Sequence, residues 1–187
     1  RGRALFNWDA KKQECKEKGT DGRYRYGVGM ALYSHTSSFY PFRPDFATTM
    51  VRLQEDGSVI AHVGIHDHGC GAVLAMKKII AETLQIDPVQ IFLEEANTSV
   101  NLYDYGCFAS RTVFVIGRSL QICCQHLLDK MRTIAANVLR CSAVVLRQDR
   151  GCFYIESDPY VRITYREIAE FAIAVLGQDV YNVYTHN

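Results

Sequence analysis

No Cys-x-x-Cys pair, no internal repeat and no low-complexity linker occur in the 187 residues. Nor is there an apolar run of the roughly 18 residues that a membrane span needs. Those absences exclude zinc ribbons, thioredoxin-like redox motifs, solenoids and helical membrane proteins. Net charge is almost absent too. Twenty-one basic and 20 acidic residues leave +1, so charge selects neither nucleic acid nor a membrane surface as partner. Residues 1–26 carry +4 and the rest −3, an unevenness that reads as a solvated basic face. No signal peptide opens the chain, and the sequence starts on Arg1, so it reads as an excised piece of a longer chain.

What is present is ordinary for a globular domain: 48% hydrophobic and 22% charged residues, enough chain to bury a sizeable core. Seven cysteines are an odd set in a chain of this length. They read as reduced, mostly buried thiols of a cytoplasmic protein.

The pattern of elements is mixed. Residues 4–18 predict a polar helix closed by Gly19 and a Thr20-Asp21-Gly22 turn. Residues 24–34 and 47–54 predict strands, and the Asp56-Gly57 signal predicts a hairpin returning through 59–64. Residues 72–84 predict a helix stopped by Asp87-Pro88, and 89–94 a further strand. Val113, Gly117, Leu120, Cys124, Leu127, Met131, Ile134 and Val138 step by four and three residues. That spacing predicts the longest helix, over 110–139, with its stripe buried on a sheet and Gly117 close to a neighbouring backbone. Two short strands follow around Asp149-Arg150-Gly151, then a capping box at Thr164 and Glu167, a helix to Gly177 and a β-rich tail. The fold class is α+β, one domain over 1–187, with a leading helix and loop at 1–25 and an α+β core at 26–187.

Two clusters carry the chemistry. In Gly64-Ile-His-Asp-His-Gly-Cys-Gly71, a strand runs through a glycine-rich turn into a helix start. Such a turn suits either an anion or a tight connection needing glycine for geometry alone. His62, His66, His68 and Cys70 alternate through it, a spacing that a metal could use. In Tyr103-Asp-Tyr-Gly-Cys-Phe-Ala-Ser-Arg-Thr112, Ala109, Ser110 and Arg111 put backbone donors, a hydroxyl and a guanidinium before the long helix. That set suits a pyrophosphate, or simply N-capping by Ser110. Gly27-Val-Gly29 is no Rossmann fingerprint, and no nucleophile elbow marks a triad.

At these clusters the sequence resembles the molybdenum-binding subunit of the xanthine dehydrogenase/aldehyde oxidase family of molybdenum hydroxylases. The likeness includes Gly27, Gly29 and Ala31, and the Asp56 to Val59 hairpin. It includes Gly64, Asp67, Gly69 and Gly71 on the pattern G-x-x-D-x-G-Q-G, then Asn97-Thr98-Ser99, Tyr103 to Thr112, and Ile163 to Ile168. The resemblance implies a molybdopterin-binding domain in which Gly69, Cys70 and Gly71 approach the pterin and metal. Ala109, Ser110 and Arg111 would bind the pterin and its phosphate or cytosine dinucleotide tail. It further implies iron–sulfur and flavin domains or subunits as partners, the remainder of the molybdenum subunit, and a small aldehyde or N-heterocycle as substrate. The chemistry implied is hydroxylation at an electrophilic carbon, assisted by a glutamate in a later G-x-G-E-type motif. No such motif occurs here, so the isolated chain should be inactive. Two positions depart from the pattern: Cys70 stands for the usual Gln, and Leu74 for a frequent polar residue. They leave open a degenerate structural module, and the histidines a small His/Cys metal-binding protein. If the cofactor reading holds, the 69–71 and 109–111 turns should adjoin on one open concave surface. Their amides should point outward, with Cys70 and Cys107 facing across it.

Overall fold

A computed structural model describes residues 1–19, 22–39 and 41–186. It divides into two compact units, Arg1–His35 and Thr36–Asn187. In the first, α1 (Gly2–Leu5) and α2 (Trp8–Lys18) replace the single helix predicted over 4–18. Asn7 between them takes φ 56°, a left-handed value that interrupts the i→i+4 ladder. Gly19 closes α2, while Thr20 and Asp21 of the predicted turn lie outside the described residues. The strand predicted over 24–34 does not form. The segment is exposed and finds no backbone partner among the described residues, and alternation makes no strand without a neighbour to take its hydrogen bonds.

The second unit holds a four-stranded sheet in the order β3-β2-β1-β7: Ile91–Glu95, Val59–Val63, Ala47–Leu53 and Tyr181–His186. β1 runs antiparallel to β2 and β7, whereas β2 and β3 are parallel. A parallel pair needs a crossover, here α3 (Ala72–Leu84), which spans the predicted residues. Side chains alternate along β1 and β2, so Ala47, Thr49, Val51, Leu53, Val59, Ala61 and Val63 all point into the core. The β1–β2 hairpin turns on Gly57 at φ 85°, where an added Cβ would lie 2.9 Å from the Arg166 amide nitrogen. The strand predicted from Val89 starts two residues later, because Pro88–Gln90 forms a 3₁₀ turn capped by Asp87.

The longest helix, α4 (Gly117–Val138), follows a π turn at Thr112–Ile116. Gly117, Leu120, Cys124, Leu127, Met131 and Ile134 are buried against β1, β7 and α3. Val113 at the head of the predicted stripe is exposed, and Val115 and Ile116 are buried in its place. A π turn bonds i→i+5 and turns less per residue than an α-helix, so the stripe's phase does not carry back through it. Gly117 lies close to side chains of α3 rather than to backbone: a Cβ would meet Ile79 Cδ1 at 2.9 Å and Met76 Cε at 3.6 Å.

A second, three-stranded antiparallel sheet joins β4 (Leu146–Asp149), β5 (Cys152–Ile155) and β6 (Asp158–Thr164). The predicted capping box forms at Thr164 and Glu167 and opens α5 (Tyr165–Phe171), which ends in a π turn and left-handed Gly177. Sequence patterning missed β6, whose side chains are exposed except Ile163. Replacing Leu127, which is wholly buried in the stripe, with Ala should cost about 2–5 kcal/mol in urea unfolding. A loss near zero would mean that the α4 stripe is not a packed core.

Candidate functional site

β2 ends at Val63, and the chain passes through Gly64 to Gly71, the left-handed N-cap of α3. Asp67 organises this turn. Its carboxylate accepts from the amides of Gly69 at 2.8 Å, Gly71 at 3.1 Å and Val73 at 3.4 Å. These bonds, led by that of Gly69, hold the Asp67 carboxyl below its ordinary pKa. The expected outward-pointing amides of Gly69 and Gly71 are therefore already taken by a carboxylate of the chain itself, because a nearby Asp wins the orphan donors of a helix start. Gly69 and Gly71 adopt φ 100° and 75°, with nothing within 4 Å of where a Cβ would stand. Cys70 between them is exposed. What this turn offers to a partner is bare, open main chain and one thiol.

The second turn is built differently. Ala109 and Ser110 take φ 45° and 54° in succession, and the Arg111 amide donates to the Phe108 carbonyl at 3.0 Å. That is the φ pattern of a type I′ turn, made here without glycine, at a cost of about 1–3 kcal/mol per residue. Arg111 holds it in place from below. Its guanidinium is wholly buried and bonds to two other segments of chain. Nε donates to Asp45 at 3.0 Å, Nη1 to Asp104 and to the Gly106 carbonyl at 2.6 Å, and Nη2 to the Phe46 carbonyl at 2.6 Å. Burial alone would lower the Arg111 pKa; the bonds to Asp104 and Asp45 outweigh it and hold the pKa above its ordinary value. This corrects the expectation that the Arg111 side chain meets a phosphate. Its donors are spent on buried carboxylates and carbonyls, so its part in the site is to position the turn. Ser110 does not cap the helix, which has no side-chain cap. Its hydroxyl is exposed and makes no hydrogen bond among the described residues.

The two loops adjoin. A Cβ on Gly64 would fall 2.6 Å from Asp104 Cβ, the Cys107 thiol lies 3.6 Å from the His66 carbonyl oxygen, and Asn101 Nδ2 donates to the Val63 carbonyl at 2.9 Å. Cys107 thus packs on the first loop's backbone rather than facing Cys70. His66 and His68 rings lie 5.3 Å apart, yet among the described residues no three His, Cys, Asp or Glu side chains are grouped to hold a metal. The strand ends at Val63, and with it the alternation that put His62, His66, His68 and Cys70 on one face. An open groove of about 860 Å³ lies elsewhere, between α3 and the start of α4, lined by Ile79, Val113, Phe114 and Gly117. Asp45, Asp104 and the aromatic residues around Arg111 were not legible as site residues. Asp45 and Arg111 are 66 positions apart, and no local pattern marks their pairing.

A family model described as a molybdopterin cofactor-binding domain matches residues 1–186. The xanthine dehydrogenase molybdenum-binding subunit of Escherichia coli O157:H7 is 29% identical over 160 residues, covering 85% of this chain and 21% of that protein. The carbon monoxide dehydrogenase large chain of Afipia carboxidovorans is 27% identical over 165 residues, 84% of this chain and 20% of that one. Among solved structures, carbon monoxide dehydrogenase from Oligotropha carboxidovorans superposes with a TM-score of 0.68 at 26% identity, over 76% of this chain and 18% of its own. Aldehyde oxidoreductase from Desulfovibrio gigas shares the fold over 99% of this chain, with a TM-score of 0.60 at 16% identity. The chain spans about a fifth of the length of these relatives. It belongs to the molybdopterin cofactor-binding domain family.

Replacing Arg111 with Met leaves Asp45 and Asp104 buried without their cation, and should cost about 3–5 kcal/mol in urea unfolding. A loss below about 1 kcal/mol would mean the carboxylates reach water. For Asp67 the depressed pKa fixes the sign of the pH effect. Its bonds to the turn are intact above the ordinary carboxylate value of about 3.9 and are lost as pH falls through the lower folded value. The Gly69 and Gly71 amide resonances should therefore titrate with a midpoint below that value, and lose the titration in Asp67→Asn. A midpoint at or above it would overturn the capping role.

Proposed function

We propose that this cofactor-binding domain serves a molybdenum hydroxylase subunit by presenting two adjoining turns to the pterin, with no catalytic base of its own. Gly69, Cys70 and Gly71 form the first contact surface, and Ala109 and Ser110 the second. Arg111 keeps the second turn in shape. The observation that supports this reading is the packing of the two loops that carry these turns, through Gly64 against Asp104 and Cys107 on the His66 carbonyl. In this reading the two loops, about 40 residues apart in sequence, border one surface. The residues fit a flat, polar cofactor. Glycine Cα atoms with open space in front of them admit a ring system to the main chain, and the Ala109 and Ser110 amides have no acceptor among the described residues.

Bound there, the cofactor would supply the redox centre. This chain's part is to seat it and to keep water and competing groups off one side. The base, the rest of the cofactor pocket, the iron–sulfur and flavin partners and an aldehyde or N-heterocycle substrate belong to this proposal as well. Similar proteins are named as a molybdenum-binding subunit, a large chain and a complex subunit, which supports a place within a larger assembly. No helix among the described residues is long and apolar enough to cross a membrane. One observation favours the degenerate alternative: the α3 start is already filled by Asp67, with Cys70 in the turn instead of an amide side chain.

Cofactor retention decides between the two. Gly71→Val adds a branched side chain to the exposed turn and should reduce bound pterin and molybdenum more than tenfold, read by pterin fluorescence after release and by elemental analysis. Gly177→Val is the control. Gly177 is also left-handed, with open space around it, and lies at the end of the α5 segment, so it carries the backbone cost alone. Equal retention in both variants would reject the proposed surface.

A further inference from the structure

The groove between α3 and the start of α4 takes no part in the cofactor surface, and it lies where the two helices touch. A Cβ on Gly117 would stand 2.9 Å from Ile79 Cδ1, so these two residues form its floor. The π turn at Thr112–Ile116 shapes one bank. Had the spacing of α4 continued back through it, Val113 would be buried. Instead Val113 is 55% and Phe114 76% exposed, and both line the groove. A π turn interrupts the regular ladder and is frequent at functional positions. Single exposed apolar residues need no explanation, but two beside an apolar floor and a charged rim have the make-up of an interface core.

The charges of that rim are unmet. Lys78 and Glu82 stand on α3 and Arg118 on α4. Lys78 and Glu82 have the i,i+4 spacing of a helical ion pair, yet neither has an ionic partner among the described residues. Arg118 donates to the neutral Gln121 Oε1 at 2.7 Å. Two cations on opposite banks thus accompany one acid, and the complement is a surface richer in carboxylates than in bases. Both banks are helical, so their backbone groups are largely bonded within the helices. An extended peptide would find few donors or acceptors there, whereas a helix brings its own backbone bonds. From Val113 to Gln121 the bank runs about 12 Å at 1.5 Å per residue, room for roughly two helical turns. The acidic helix of a second copy is poorly matched: in α5, Glu167 is committed to the Thr164 cap and Glu170 to Arg166 at 2.8 Å.

We propose that the groove between α3 and α4 is a docking site for an acidic amphipathic helix of a partner protein. The helix lays its apolar face on Val113, Phe114 and Ile79 and sets carboxylates against Lys78 and Arg118. Helix-in-groove binding of this kind uses apolar anchors at i, i+3 or i+4, and i+7. The site follows from its own side chains and stands whether or not pterin binds at the two turns.

The test titrates two labelled helical peptides into the protein, read by fluorescence anisotropy. One carries leucines at i, i+3, i+4 and i+7 flanked by glutamates; its twin has lysines in place of the glutamates. The glutamate peptide should bind saturably and about tenfold more tightly than the lysine peptide. Phe114→Ala, at a side chain too exposed to carry the fold, should weaken the glutamate peptide at least about tenfold. Joint Lys78→Glu and Arg118→Glu should invert the preference, which an apolar patch alone would not do. Should that double variant fail to fold, Lys78→Gln decides: added salt should weaken the wild type more than Lys78→Gln, and equal salt dependence would reject the acidic complement. No saturable binding, equal binding of the two peptides, or wild-type affinity in Phe114→Ala would overturn the inference. Sedimentation of the protein alone supplies the last arm. A concentration-dependent oligomer abolished by Phe114→Ala would give the groove to a second copy and reject the partner helix.

Discussion

The burial of Arg111 between Asp45 and Asp104 is the constraint on which the rest of the site depends. Taking a guanidinium out of water costs several kcal/mol, recovered only if every donor is met with good geometry. Here the partners come from the segment leading into β1 and from the 104–106 loop. The cation therefore fixes the entry to β1, the loop and the start of the α4 segment relative to one another. It also makes affordable the two left-handed residues above it. Ala109 and Ser110 would relax in a free loop, but Arg111 anchors one end of the turn, and the Ser38 amide holds the Ala109 carbonyl.

Below this knot, α4 and the sheet meet through a seam that is not purely apolar. Ser119 Oγ reaches Thr49 Oγ1 at 3.1 Å and the Ala47 carbonyl at 3.0 Å, and the Cys123 thiol donates to the Asn182 carbonyl at 3.2 Å. Burial pushes the Cys123 pKa up, so this thiol is a packing and hydrogen-bonding group rather than a nucleophile. Directional bonds in an otherwise oily interface admit one sliding position of helix on sheet, where Leu120, Leu127 and Met131 alone would tolerate several. Because Ala47 is in both the seam and the bridge to Asp104, the seam sets the height at which the second turn emerges.

The two turns solve the anion problem in opposite ways. At α3 a carboxylate of the chain occupies the helix start, so the glycines are left to offer shape. At the second turn the acids are drawn inward to Arg111, and donors remain on the surface. The difference lies in where Asp67 and Asp45 point: Asp67 to the amides of its own turn, Asp45 to buried Arg111.

The sequence by itself determined the elements whose signals are local: α3, the Asp56-Gly57 hairpin, the Thr164 capping box and the α4 stripe from Gly117 onward. Each depends on residues within a few positions of one another, where periodicity and capping act. The resemblance likewise located the two loops, because their glycine and small-residue patterns are contiguous. Long-range pairing was illegible. Nothing near residues 24–34 tells that an alternating segment lacks a partner strand, and the π turn that exposes Val113 leaves the apolar spacing unchanged. Arg111 shows the limit most clearly. Beside Ala109 and Ser110 it reads as a ligand for phosphate, and its neighbours in sequence give no reason to think otherwise. Only the tertiary structure brings Asp45 from 66 residues away and decides that the guanidinium is buried. An ion pair's partner is chosen by distance in space, which the order of residues does not encode.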